Sequence, residues 1–274
     1  MSLSEWQRIR VNGHCLSYRT VGAIHMFPVI FMHGGTQDGN QWKIPVLRLF
    51  VKHGYYCIVL NRLGFGKYSD EEEEWAADYY QQHTADFLAF LDALHIKRCA
   101  VVSWCDGANI SLMAAAQRPT AFAGIVASVP HLKISNSQEE IDYAVASMKE
   151  FPEMIKSNTA YWKTLERQYG SEEQAKRIFD RWYKRSSNLE WMLQKDLTAC
   201  LTKVECPVFV TIAGKDNFFL PATGLAILPL IQNVQHWIAE ESGHMIHTSS
   251  GPQAAEFFAR SLAFLNSLSL TAKL

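Results

Sequence analysis

Short apolar runs alternate with helical patterns along most of the chain, and this alternation limits the possible folds more than any other feature of the sequence. The run PVIFM at 28–32 begins with proline and is followed by His-Gly-Gly, which is typical of a short buried strand. Residues 6–11 and 14–20 flank Asn12-Gly13, a pair that favours a tight hairpin turn between two strands. The other runs that predict strands lie at 55–60, 99–103, 122–129, 207–214 and 234–240.

Helical patterns occupy the stretches between these runs. Apolar side chains recur at helical spacing over 75–94, and 106–117 is a helical stretch of mostly small residues. Two further helices are predicted near 40–53 and at 252–268. Because strands that alternate with helices form parallel sheets covered on both faces, we expect a mainly parallel, eight-stranded sheet flanked by helices.

The segment 135–200 has a different character, since charged and helix-forming residues dominate it and no strand pattern is present. A helical insertion that leaves the sheet after one strand and returns before the next forms a cap over the carboxyl edge, where ligands bind in such folds. We therefore predict a core domain at 1–130 and 204–274 and a cap at 131–203. Part of the cap is expected to line a largely apolar pocket through aromatic residues such as Trp162, Trp182 and Trp191.

Charge and cysteine content exclude several classes of protein. The 26 Lys and Arg residues balance 27 Asp and Glu residues, and a net charge of −1 gives no electrostatic basis for binding nucleic acid or an anionic membrane. The first residues lack the apolar run of a signal peptide, and the longest uncharged stretch, 217–239, is too polar for a membrane span. The six cysteines are scattered without zinc-site spacing, so we expect no metal and a reducing, cytoplasmic setting.

A strand-to-helix junction at Cys105 carries the clearest chemical signal. The buried strand stops at Ser103, and a helix of small residues begins directly after Cys105. A nucleophile on so tight a turn needs small neighbours two positions away on either side, and here these are Ser103 and Gly107. The start of a helix also favours a thiolate. The alternative is a buried structural cysteine, which is the commoner role of a single cysteine.

Two strand ends further along the chain offer partners for this thiol. Asp216 follows the strand that begins at Pro207, and His244 follows the next strand. Asp216 would fix the tautomer of His244, which would take the proton of Cys105 and return it to the leaving group. Each residue also has a simpler explanation, as a turn aspartate or a loop histidine, and His247 is the alternative base. The order nucleophile, acid, base nevertheless favours a catalytic triad.

Five segments of the chain resemble motifs of a known protein family. Their sequences are FMHGGTQDGNQW, NRLGFGKYSD, SWCDGANISL, KVECPVFVTIAGKDNFFLP and EESGHMIH. Together they resemble the α/β-hydrolase superfamily over essentially the full chain, and within it the valacyclovir hydrolase (biphenyl hydrolase-like) group. The resemblance implies the α/β-hydrolase fold, with an inserted helical cap. It also implies an oxyanion hole made by the backbone N–H groups of Gly35 and Asp106, and neither a metal nor an organic cofactor.

The expected partner is a small-molecule acyl substrate, and a homodimer is left open. We expect Trp104, Asp106 and His33 to contact the substrate, with His33 also ordering its glycine-rich loop and taking no catalytic part. Two roles are open for the side chain of Asp106. It complements the dipole of the helix that it begins, or it pairs with a cationic or hydroxylated part of the substrate.

Three residues depart from the family pattern. Cys105 replaces the usual serine, Ser103 replaces the first glycine of the elbow, and Asn61 replaces the aspartate that opens NRLGFGKYSD. Cysteine nucleophiles occur in some dienelactone hydrolases and thioesterases of this fold; an engineered replacement of serine, or a repurposed pocket with slow hydrolysis, is the alternative. The resemblance favours a Cys-His-Asp hydrolase of a small ester, thioester or lactone. A ligand-binding protein without turnover, an acyltransferase and a C–C bond hydrolase are the competing functions.

Overall fold

A computed structural model describes the chain at 3–68, 70, 78–133, 137–248, 252–268 and 270. The first residues of the predicted helix at 75–94 and of the helical segment at 135–200 lie outside these ranges. None of the helices within them combines the length and the apolar composition that a membrane crossing requires.

The strands are β1 (Gln7–Val11), β2 (His14–Val21), β3 (Phe27–Met32), β4 (Tyr55–Asn61), β5 (Cys99–Trp104), β6 (Phe122–Ser128), β7 (Val208–Ala213) and β8 (Val234–Ala239). The α-helices are α1 (Ile44–Lys52), α2 (Tyr79–Ala93), α3 (Asp106–Gln117), α4 (Gln138–Ser157), α5 (Thr159–Tyr169), α6 (Glu172–Ser186), α7 (Leu189–Gln194), α8 (Pro221–Leu225) and α9 (Pro252–Ser267).

The described strands form one eight-stranded sheet in the order β1-β2-β4-β3-β5-β6-β7-β8. β1 and β2 form an antiparallel hairpin whose turn contains Asn12 and Gly13, with φ of 49° and 86°. β2 also runs antiparallel to β4, whereas the other neighbouring pairs among these strands are parallel. The predicted eight-stranded, mainly parallel sheet is therefore confirmed.

Helices cover both faces of the sheet because its central strands are apolar on both sides. Every residue of β5 and of β7 is buried. In β3, Ile30 belongs to the apolar cluster that contains α2 and α3, whereas its neighbour Phe31 belongs to the cluster that contains α1 and α9. With both faces filled, the loops at the carboxyl ends of the strands are the part of the core that is left to build a site.

The chain between β6 and β7 contains α4 to α7, which we call the helical insertion (138–194). Its buried side chains form an apolar cluster of their own around Trp182, and this cluster also takes in Phe65 and Phe218 from loops of the core. The insertion therefore rests on the sheet edge through aromatic contacts. Each of its helices begins after a side chain that accepts a backbone hydrogen bond, namely Ser137, Asn158, Ser171 and Asn188.

Candidate active site

Cys105 stands in the turn between β5 and α3, with φ 55° and ψ −124°. A non-glycine residue held in such a conformation costs about 1–3 kcal/mol and is found chiefly at functional sites. The turn is tight because α3 starts close to the end of β3, so that a Cβ atom on Gly107 would lie 2.5 Å from the carbonyl oxygen of His33. Behind the turn, the hydroxyl groups of Ser103 and Ser111 are 2.9 Å apart. This is the geometry of a nucleophile elbow.

His244 and Asp216 lie beside Cys105, in the loops that follow β8 and β7. Nδ1 of His244 is 2.8 Å from Oδ2 of Asp216. The other carboxylate oxygen of Asp216 accepts hydrogen bonds from the backbone N–H groups of Phe218 and Phe219, at 2.8 and 3.1 Å. Both carboxylate oxygens are therefore held, and the structure brings the three predicted triad residues together.

The charge of His244 follows from its two neighbours. Burial opposes the imidazolium, but the negative charges of Asp216 and of a Cys105 thiolate outweigh burial and raise the pKa of His244 to about 10. A hydrogen bond between His244 and Cys105 acts in the same direction. An imidazolium that faces a sulfur atom is the arrangement in which cysteine nucleophiles work as thiolates. These side chains can thus supply a nucleophile, a proton donor and a stabilising anion.

His247, the alternative base, is packed away from this group. Its ring lies against Trp42 and Trp104, with centroid distances of 4.8 and 4.9 Å. Burial, together with the charge of His244, lowers the pKa of His247 to about 3. Trp104 also donates from Nε1 to the carbonyl oxygen of His244 at 2.8 Å, which holds the histidine loop against the end of β5. The structure therefore pairs Asp216 with His244 and gives His247 a packing role.

Gly35 and Asp106, the predicted oxyanion donors, border the same pocket as Cys105. Asp106 is the first residue of α3, where backbone N–H groups have no partner within the helix and the helix dipole favours negative charge. Gly35 has no room for a side chain, because a Cβ atom there would collide with the indole of Trp182. Both residues therefore lie on the wall of the pocket that contains Cys105, and the role of their N–H groups in binding an oxyanion stays a prediction.

His33 lies behind the glycine-rich loop. Its Nδ1 is 2.7 Å from the carbonyl oxygen of Gly34, and its Nε2 accepts the backbone N–H of Arg62 at 3.1 Å. Burial, reinforced by the charge of Arg62, holds the pKa of His33 well below its usual value, so the ring is neutral. Arg62 also donates from Nη2 to the Gly34 carbonyl at 2.8 Å. Of the three predicted substrate contacts, Trp104 and Asp106 border the pocket, whereas His33 is placed where it orders the loop.

The carboxylate of Asp106 is buried and paired with groups of the protein. Oδ1 accepts a hydrogen bond from Tyr80 at 2.7 Å and lies 3.3 Å from Nε2 of His131. Oδ2 accepts a hydrogen bond from Nη2 of Arg185 at 3.1 Å, and both of these side chains are 4% exposed. Burial opposes the ionisation of Asp106, but Arg185, His131 and Arg62 hold its pKa well below the usual range. The partner that a buried carboxylate needs is supplied by Arg185 of the helical insertion.

Four titratable residues on the pocket wall were missed by the sequence patterns: Tyr80, His131, Arg185 and Lys195. In sequence, Arg185 is an ordinary basic residue in the last turn of an amphipathic helix. Tyr80 is one of many aromatic residues with helical spacing in α2. His131 follows the end of β6, and its place at the carboxyl end of a parallel strand is the signal that could have identified it.

Three potential metal-ligand atoms lie close together in the candidate site, since those of Cys105, Asp106 and His131 are all within 4.8 Å of one another. Their surroundings do not suit a cation. Tyr80 and Arg185 already donate to the two carboxylate oxygens of Asp106, and Arg185 brings a positive charge into the same space. These three residues are therefore poorly suited to hold a metal ion.

A cavity of about 160 Å³ opens above Cys105, between the sheet edge and the helical insertion. Tyrosines of the insertion hold its walls. The hydroxyl groups of Tyr161 and Thr36 are 2.6 Å apart, and Tyr169 donates to the carbonyl of Thr36 at 2.8 Å. The apolar residues that the insertion contributes to the cavity include Met148, Phe151, Ile155, Trp182, Trp191 and Met192.

Comparison with known proteins agrees with this architecture. The family described as alpha/beta hydrolase fold matches residues 28–160. The serine hydrolase BPHL of Mus musculus is 22% identical over 241 residues, which cover 88% of this chain and 80% of the mouse protein. The enol-lactonase from Burkholderia xenovorans LB400 superposes with a TM-score of 0.72 at 19% identity, covering 95% of this chain and all of the other (100%). The esterase RhEst1 from Rhodococcus sp. ECU1013 superposes with a TM-score of 0.70 at 20% identity, covering 98% of this chain and 100% of the esterase. The sheet order, the tight turn at Cys105 and these similarities together show that the chain has the alpha/beta hydrolase fold.

Proposed function

We propose that the protein hydrolyses a small ester, thioester or lactone, with Cys105 as nucleophile, His244 as acid and base, and Asp216 as the anion that orients His244. The observation that carries this proposal is the position of Cys105 in a strained turn next to an imidazolium that Asp216 holds at 2.8 Å. A purely structural cysteine needs neither the strain nor the charged neighbour.

The reaction follows from the charges of these groups. Sγ of Cys105 attacks the carbonyl carbon, and the resulting oxyanion is bound by the N–H groups of Gly35 and Asp106. The bond to the leaving group breaks as His244 gives its proton to the departing oxygen or sulfur. Water then attacks the carbonyl carbon of the acyl-enzyme while His244 accepts its proton. The bond between carbon and sulfur breaks, the carboxylic acid leaves, and the thiolate and imidazolium are restored.

The choice of substrates rests on thiol chemistry and on the cavity. Thiolates attack thioesters and activated lactones well and unactivated amides poorly. The volume of about 160 Å³ suits a small acyl group, and the walls that face it are mainly apolar. Two structural neighbours, an enol-lactonase and an esterase, act on the same bond types by their names, which supports this choice. The proposed reaction needs a free thiol, and all six cysteines are free. Because a reducing compartment keeps thiols free, we propose a cytoplasmic location.

Two measurements test the proposal. A panel of acyl thioesters, aryl esters and lactones is assayed with the parent protein, Cys105→Ala and Cys105→Ser, and Cys105→Ala is expected to lose activity by at least about 10³-fold. Iodoacetamide at neutral pH is expected to modify Cys105 before the other cysteines, as mapped by mass spectrometry, with Cys200→Ala as the control variant.

The proposal fails if Cys105→Ala retains the parent rate, or if Cys200 is alkylated first while Cys105 stays unmodified. Saturable binding of acyl compounds without any turnover would instead identify a ligand-binding protein. Loss of the folded state in Cys105→Ala, seen by circular dichroism, would give Cys105 a structural role.

A further inference from the structure

Lys195 is a buried amine on the wall of the pocket that contains Cys105. It follows the last residue of α7, and 8% of its surface is exposed. Its Nζ lies 5.2 Å from the ring centroid of Tyr80 and 5.8 Å from that of Trp191. These two rings are stacked on each other at 5.9 Å, so they form a rigid aromatic support for the ammonium group.

The proposed reaction leaves this amine without a task, and none of the described residues forms an ion pair with it. Within the described ranges, Nζ of Lys195 makes no hydrogen bond and no ion pair. Asp106 is the carboxylate on the same wall, but Arg185 and Tyr80 already donate to its two oxygens. His131, the next titratable group there, is neutral, because burial and the charge of Lys195 lower its pKa to about 4.

A buried ammonium group without an anionic partner is costly, and its titration reflects this cost. Burial lowers the pKa of Lys195 to about 7 even though Asp106 and Cys105 attract its charge. An anion placed at Nζ would form a charge-assisted hydrogen bond with this buried group. The cavity is the side from which such an anion can arrive, since Lys195 and Cys105 border the same space.

We propose that Lys195 binds a carboxylate of the substrate, so that the acyl group cleaved at Cys105 belongs to a small dicarboxylic acid or to a lactone that carries a carboxylate. This inference rests on the proposed hydrolysis and names the substrate class of the same site. The aliphatic part of such an acyl group spans the cavity beside Met192 and Trp191, which are apolar wall residues. The carboxylate stays bound while the bond at the other end of the acyl group is broken.

Matched thioesters test this assignment. Succinyl, glutaryl and adipyl thioesters of N-acetylcysteamine are compared with analogues in which the terminal carboxylate is a carboxamide, and acid release is followed by chromatography. The parent protein is expected to prefer a carboxylate at one of these lengths. Lys195→Met is expected to lower the ratio of kcat/KM between carboxylate and carboxamide substrates about 10–100-fold, mainly through KM. Lys195→Arg should restore part of the ratio, and Lys203→Met, at an exposed position, should leave it unchanged.

Binding without turnover separates the failure of this inference from the failure of the proposed hydrolysis. Calorimetry with Cys105→Ala is expected to detect the matching dicarboxylic acid, with binding lost in Cys105→Ala/Lys195→Met. Binding that depends on Lys195, together with no thioester cleavage by the parent protein, would sustain the carboxylate site and reject the hydrolysis. Cleavage with no preference for a carboxylate at any of the three lengths, or an equal loss for both substrate types in Lys195→Met, would overturn the role of Lys195.

Discussion

The sheet core and the helical insertion reach the same cavity by different physical means. The core presents Cys105, Asp216 and His244 at the ends of strands whose backbone hydrogen bonds and two buried faces determine their positions. The insertion has no sheet ladder to hold it. It rests on an aromatic cluster around Trp182 and on polar contacts such as the one between Arg185 and Asp106.

This difference separates the chemistry from the choice of substrate. A change among the strand-end residues should affect the reaction of every substrate, because all of them would react with the same proposed nucleophile, Cys105. A change in the insertion should alter which acyl groups fit, or how firmly the insertion is held. This division leads to five predictions, ordered from the largest expected effect to the smallest.

The core prediction concerns the orientation and charge of the histidine. Asp216→Asn removes the negative charge that lies 2.8 Å from Nδ1 of His244. We expect kcat/KM to fall about 10³–10⁴-fold for all substrates, because the imidazole loses both its fixed tautomer and the anion that stabilises its charged form. Steady-state kinetics over several acyl groups measures this effect, and a loss confined to one substrate class would contradict it.

The same variant changes the dependence of stability on pH. The pKa of His244 is about 10 in the folded protein and lies near its ordinary value of 6.5 in the unfolded chain. Its contribution to the free energy of unfolding is therefore complete below about pH 6.5 and is lost as pH rises through about 10. Asp216→Asn should flatten this part of the profile, measured by urea unfolding between pH 6 and 10. An unchanged slope would show that Asp216 does not hold the charge.

The ion pair between core and insertion should dominate the stability of their contact. Arg185→Met leaves the buried carboxylate of Asp106 without its cationic partner and is expected to lower the free energy of unfolding by about 3–5 kcal/mol. The double variant Arg185→Met/Asp106→Asn should regain part of this loss, because no uncompensated charge remains. Urea unfolding of the single and double variants measures both values, and a cost below about 1 kcal/mol for Arg185→Met would contradict the assignment.

Substitutions of two buried methionines are expected to separate effects on acyl-group selectivity from effects on the stability of the fold. Met192 lines the cavity from the insertion, whereas Met113 lies in α3 under the sheet. Met192→Ala should shift the ratio of kcat/KM between longer and shorter acyl groups by about tenfold in favour of the longer ones, because it enlarges the cavity. Met113→Ala should destabilise the fold by about 2–5 kcal/mol and leave that ratio unchanged. Selectivity that followed Met113 rather than Met192 would refute the division between core and insertion.

The smallest expected effect concerns the contact between the insertion and the glycine-rich loop. Tyr161→Phe removes the hydrogen bond to the hydroxyl of Thr36 and should lower the free energy of unfolding by about 0.5–1.5 kcal/mol. The matched control is Tyr18→Phe, whose exposed hydroxyl donates to Gln7 and should contribute less than about 0.5 kcal/mol. Urea unfolding compares the two variants. Equal costs would mean that burial of the Tyr161 contact adds nothing.

Local patterns were sufficient for most of the core. Asn12 and Gly13 set the first hairpin, and the order of Cys105, Asp216 and His244 along the chain indicated the strand ends at which they lie. The helix predicted near 40–53 begins later, at Ile44, because the side chain of Asp38 first caps a short 3₁₀ turn. Such a boundary depends on a single side-chain hydrogen bond, which periodicity does not report.

The sequence by itself determined the features that follow from local patterns of apolar and small residues. These are the strands, the helices, the hairpin, the tight turn at Cys105 and the resulting α/β-hydrolase fold. The tertiary structure decided which distant side chains meet. Asp106 and Arg185 are 79 positions apart, and no sequence pattern near either residue predicts that the two side chains form an ion pair. It also decided that His244 faces Asp216 while His247 packs between Trp42 and Trp104, although the two histidines stand in one short loop. The physical reason is that periodic burial acts over a few residues, whereas a buried charge finds its partner through the packing of the whole chain.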